Sequence, residues 1–177
     1  MKFKKAVGLA TAATMMLAMS ATAFAAVPED AEAATAKFYA YYDADGDGDS
    51  EWALAPHGMD DGNIVAAGIK DGVAYLDLGI GDFQMGSMTM SGYISALSNV
   101  DEAIITDMNS SEYADMITDA EVMMDFAEEF TALVDTDGDG VMEDVEMYGI
   151  PATMTASVIV GSMPAGHQSM DVMLVVE

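Results

Sequence analysis

The stretch Asn63-Ile-Val-Ala-Ala-Gly-Ile69, Lys70-Asp71-Gly72, Val73-Ala-Tyr-Leu-Asp-Leu-Gly-Ile80 decides the fold class. Two apolar runs flank an Asp-Gly pair. That pair suits a two-residue hairpin turn, whose central residues need positive φ. Working outward, Phe83 to Met90 and Tyr93 to Leu97 read as further short strands. Near the C-terminus, Ala152 to Val160 is rich in Thr and Val, Gly161 to Gln168 reads as a turn region, and Met170 to Glu177 gives another strand. Short strands at a spacing of roughly 8–12 residues predict a mainly β, antiparallel sandwich. Upstream, Ala31 to Tyr42 fits a helix by its alanines or a strand by its aromatics.

One segment departs from this pattern. From Glu112 to Val134, the residues Met116, Met123, Phe126, Phe130, Leu133 and Val134 recur at mostly helical spacing, with acids between them. The spacing predicts a helical insert over about 111–134, one helix of which leads into an acidic loop.

That loop is Asp135-Thr-Asp137-Gly-Asp139-Gly140-Val141-Met-Glu143-Asp-Val-Glu146. It resembles the calcium loop of EF-hands throughout its length. Asp135, Asp137 and Asp139 hold positions 1, 3 and 5. Gly140 is expected to hold the sharp turn, Val141 to offer a backbone carbonyl, Glu143 to act through water, and Glu146 at position 12 to chelate with both oxygens. Ca²⁺ is a hard cation that takes six to eight oxygens, and this spacing wraps them around one point. A second loop, 43–54, matches at Asp43, Asp45, Asp47 and Gly48, and carries Asp49 and Glu51. Its position 12 is Leu54, so Glu51 is the candidate substitute for the bidentate ligand. The two loops hold 11 of the 31 acids in 24 residues, so the carboxylates are concentrated rather than spread. Gly149 and Pro151 leave little room for an exiting helix after Glu146. The loops are therefore expected as inserts on another scaffold. Trp52, a large ring among carboxylates, is expected to lie on the core, with a partner surface as the alternative.

The strand region carries a second resemblance. The order Gly62 to Leu78, then Phe83 to Leu97, then a final hairpin from Ala152 to Glu177 containing Gly166-His167-Gln168, is similar to near-iron-transporter (NEAT) domains of Gram-positive surface proteins. The resemblance implies an immunoglobulin-like β-sandwich over about Ala36 to Glu177, interrupted by the helical insert. It also implies binding of haem or of a host haemoprotein at a bacterial surface.

Methionine and histidine supply candidate soft ligands. His57 and Met59 follow the first acidic loop, and Met163, His167 and Met170 lie near the C-terminus. Thioether and imidazole together suit Cu(I) or haem iron. Ordinary core packing is the competing reading, because Met is a flexible gap filler.

The N-terminus has three parts. Lys2, Lys4 and Lys5 precede an uncharged run from Ala6 to Met19, and Ala23-Phe24-Ala25 supplies the small residues a signal peptidase needs. The pattern predicts a secretory signal peptide at 1–25, cleaved near Ala25, and a single domain at 26–177 outside the cell or on its surface. Processing would remove three of the five lysines and take the formal net charge from −26 to −29. That charge excludes nucleic acid as a partner, because phosphate contacts need Lys and Arg. No later run approaches a membrane-spanning helix. With no Cys, thiolate metal sites and disulfides are excluded. No nucleophile elbow, phosphate loop or zinc-binding helix is present, so a binding module rather than an enzyme is expected.

Overall fold

The structure, a computed structural model, describes residues 27–55, 64–85, 88–99, 104–110, 115–160 and 163–177. The expected signal peptide, His57 and Met59 lie outside these residues. Among the described residues no helix is long and apolar enough to cross a membrane.

Among the described residues twelve strands carry the fold: β1 Glu32–Ala34, β2 Ala36–Tyr42, β3 Glu51–Leu54, β4 Ile64–Lys70, β5 Val73–Leu78, β6 Ile80–Met85, β7 Met88–Ser98, β8 Ile105–Ser110, β9 Ile117–Met123, β10 Glu128–Val134, β11 Glu143–Val160 and β12 Met163–Val176. They form a β-sandwich. One sheet has the order β1-β4-β5-β9-β8, the other β10-β3-β2-β12-β11-β7-β6. The deciding hairpin is present as β4–β5, with Lys70 opposite Val73. Asp71 and Gly72 both take positive φ, 52° and 79°, as a two-residue turn between right-twisted strands requires. Ala31 to Tyr42 resolves into strands β1 and β2. The C-terminal turn region is shorter than predicted, because β12 already begins at Met163.

The helical insert is not there. The segment forms β9 and β10, joined through a short 3-10 turn at Met124–Phe126; residues 111–114 lie outside the described residues. The inward positions are Ile117, Ala120 and Val122 on β9, and Phe130 and Ala132 on β10. On β10 they alternate with period two, continued by the half-buried Val134. Small alanines occupy inward positions there, so the large residues alone mimic a helical repeat. Ile, Val, Thr and Phe suit a pleated surface better than a helix.

The seven-stranded sheet closes on itself at one end. β10 pairs in parallel with β3 and antiparallel with the first half of β11, Glu143 to Gly149. With β3–β2, β2–β12 and β12–β11, these pairings make a five-stranded ring. Two cores result. Phe38, Ala40, Ile150, Met154, Val172 and Leu174 join the main core between the sheets, with Leu76, Leu78 and Val122 from the facing sheet. Tyr39, Phe130, Ala132, Met173 and Val175 fill the ring, with Trp52, Leu54, Val134 and Met147 packed against them. Phe38 to Ala40 on β2 and Val172 to Val175 on β12 are thus buried on both faces, and these stretches are apolar throughout. Aromatic rings meet edge-on or tilted inside the ring and run outward to the exposed Tyr41. Phe130 meets Tyr39 edge-on at 5.7 Å and Trp52 at 5.9 Å, and Trp52 in turn meets Tyr41 at 5.4 Å. Gly149 makes this packing possible. A Cβ there would lie 2.8 Å from Phe130 Cε1 and 3.0 Å from Met173 Cβ.

Candidate functional site

Both acidic loops join strands of the ring: the first links β2 to β3, the second β10 to β11. Since β3 and β10 run parallel, and one loop precedes its strand while the other follows, the loops leave the ring at opposite ends.

Their backbones are built alike. Gly46 and Gly138 at position 4 have φ of 82° and 78°; Gly48 and Gly140 at position 6 have φ of 100° and 85°. The position-4 amide donates to the first aspartate in each, Gly46 N to Asp43 Oδ1 and Gly138 N to Asp135 Oδ1, both at 2.7 Å. Position 5 donates to position 3, Asp47 N to Asp45 at 3.0 Å and Asp139 N to Asp137 at 3.2 Å. Position 7 donates to position 5, Asp49 N to Asp47 and Val141 N to Asp139, both at 2.8 Å. Gly140 N adds a bond to Asp135 Oδ2 at 2.9 Å. Short Asx turns of this kind use glycine and aspartate to fold the chain around the carboxylates.

In each loop the strand resumes at position 9. Tyr42 pairs with Glu51, and Val134 with Glu143. Each of these glutamates reaches back to position 2. Ala44 N donates to Glu51 Oε1 at 2.7 Å, and the Thr136 hydroxyl donates to Glu143 Oε2. The tie belongs to a strand-flanked loop and has no place in a helix-flanked pattern. The signal was visible as a glutamate at position 9 of both loops.

Among the described residues, carboxylate oxygens converge in two groups. One oxygen each from Asp43, Asp45 and Glu51, and likewise from Asp135, Asp137 and Asp139, lie within 4.8 Å of one another. Glu51 thus joins the aspartates of its loop, whose position 12 is Leu54. Asp47, Asp49 and Glu143 lie in or beside these loops but outside the tight groups, and Val141 is exposed. Glu146 is likewise outside. It pairs with Thr131, three residues into β11. In a helix three residues rise only ~4.5 Å and one turn brings position 12 back over the ion; in a strand they span ~10 Å. The strand that follows, not the loop, decides where Glu146 falls.

The soft-ligand candidates separate. On β12, His167 is exposed, with Nδ1 2.5 Å from Ser157 Oγ, and Ser157 donates to Ser95 Oγ at 2.8 Å. Met170 packs against the main core instead. Three residues apart on a strand, the two side chains leave opposite faces. The side chain of Met163, with His57 and Met59, falls outside the description.

Two other charge features stand apart from the loops. Lys70 Nζ lies 2.8 Å from Asp30 Oδ1; that hydrogen bond holds the Asp30 carboxyl below its ordinary value and the Lys70 ammonium above its own. On the five-stranded sheet Asp77 faces Asp119 across β5 and β9. Partial burial, and then the Asp119 charge, push the Asp77 carboxyl above the ordinary 3.8.

No protein-family profile, curated protein or solved structure matches the chain.

Proposed function

We propose that the chain is a secreted, non-catalytic binding module whose two acidic hairpins take up Ca²⁺. The observation that carries this reading is the duplication. Two loops 92 positions apart adopt the same turns, glycine conformations and strand junctions, and each gathers three carboxylates. Three like charges within 4.8 Å repel by roughly 0.9 kcal/mol per pair even in the dielectric of water. A divalent ion reverses that term. The donors are all hard oxygens, and loop carbonyls and water complete a coordination shell of six to eight, which suits Ca²⁺ better than the strict octahedron of Mg²⁺. The N-terminal pattern, pointing to secretion, adds support, because ~10⁻⁴–10⁻³ M affinity suffices for extracellular calcium modules.

Each ion ties two adjacent ring strands together at one end of the barrel. Ca²⁺ acts as a strut, and the rest of the sandwich presents a surface to a partner. The deciding experiment is calorimetric titration of the processed protein with Ca²⁺. Two sites per chain are expected, one lost in Asp135→Asn and the other in Asp43→Asn. Absence of heat and an unchanged melting curve in chelator would remove this reading.

A further inference from the structure

We infer that the cleft beside the first acidic loop is a binding site for a small amphiphilic organic cation. The cleft has a volume of about 460 Å³, within the ~300–1,000 Å³ usual for small-molecule sites. It opens where the ring joins the rest of the large sheet. Its floor is the β11–β12 ladder, in which Pro151 pairs with Met173 and Thr153 with Asp171. Trp52, directly after Glu51, forms one wall, and Asn99 and Glu128 complete the polar lining.

Three features select the ligand. The apolar wall of Trp52, Pro151 and Met173 takes an apolar body. The charged side chains among the described lining residues are Asp171 and Glu128, both carboxylates, so a ligand cation meets acids and no lysine. Trp52 offers the ring best suited to a cation at its face. The third feature is Asn99. Its side-chain nitrogen and oxygen are both shielded from water, and neither has a hydrogen-bond partner among the described residues. A buried amide left in this way carries its full desolvation cost, and native structures seldom leave one unexplained. A ligand that draws the Asn99 amide toward the cleft gives its carbonyl a donor, in a lining that also carries Asp171 and Glu128. The net charge of −26 steers cations toward the molecule and repels anions.

The chain has a single tryptophan, so Trp52 fluorescence reports on the cleft directly. Three probes of one shape make the test: 4-phenylbutylamine, 4-phenylbutanol and 4-phenylbutyrate. They are titrated at physiological salt with millimolar Ca²⁺ present throughout, so the state of the loops is constant. The expected result is a saturable change with the amine, at least tenfold tighter than with the alcohol, and none with the carboxylate. Asp171→Asn with Glu128→Gln should reduce the amine to the affinity of the alcohol, and circular dichroism shows that this variant folds. Glu32→Gln, exposed on the edge strand β1 of the facing sheet, should leave amine binding unchanged. Equal responses to the three probes, no saturable response, or discrimination that survives the double variant would overturn the assignment. If the double variant fails to fold, the ranking of the three probes on the natural sequence decides.

Discussion

Replacing Asp137 by Asn should change stability in opposite directions with and without calcium. Asp137 lies in the group with Asp135 and Asp139, its atoms within 4.8 Å of theirs. An amide keeps the oxygen that accepts from Asp139 N but removes the charge. Without metal, two repulsive pairs vanish. Each is worth roughly 0.9 kcal/mol in the dielectric of water, and screening at physiological salt cuts each to about half. The variant should therefore gain about 1 kcal/mol in chelator, or roughly 2–4 °C in Tm for a domain of this size. With ~10 mM Ca²⁺ and a site of ~10⁻⁴–10⁻³ M affinity, the natural sequence gains about 1.4–2.7 kcal/mol by mass action, and the variant loses most of this. The two melting curves should exchange order between EGTA and calcium, as followed by scanning calorimetry. Parallel curves, with the variant shifted the same way in both buffers, would refute the claim that these carboxylates repel each other until a cation joins them.

Other outcomes follow from the same geometry. Glu146→Gln should leave the calcium-induced rise in Tm nearly intact, whereas Asp135→Asn should remove the share of its loop; equal losses would mean that β11 bends to bring Glu146 back to the cluster. Asp77→Asn should stabilise the protein at pH 7 by ~0.2–1 kcal/mol, because like charges oppose each other across β5 and β9. The folded-state value of Asp77 is raised, so the fold favours the protonated acid. Stability from this group is present below the ordinary 3.8 and is lost as pH rises through the raised value; the variant's advantage should therefore fade on acidification, as denaturant titrations across pH would show. Gly149→Ala should cost about 1–3 kcal/mol by crowding Phe130 and Met173, and Phe130→Leu in the same chain should recover part of it, which a double-mutant cycle of urea midpoints measures.

Sequence alone determined the features that rest on short-range chemistry. The Asp71-Gly72 turn follows from positive φ, the alternating runs around it from the two-residue period of a strand, and the loop conformation from glycines and aspartates that fold their own backbone. These interactions span a few residues, so the local order of side chains specifies them. Tertiary structure decided what depends on distant partners. Met116 to Val134 carries spacing compatible with a helix, and pairing with β5, β3 and β11 made it two strands. The same pairing closed the ring, gave β2 and β12 a second buried face, set the acidic loops at opposite ends and carried Glu146 away from its cluster. A strand has no internal hydrogen bonds to declare itself; its edges are satisfied by chain that lies far along the sequence, and only the folded arrangement shows which chain that is.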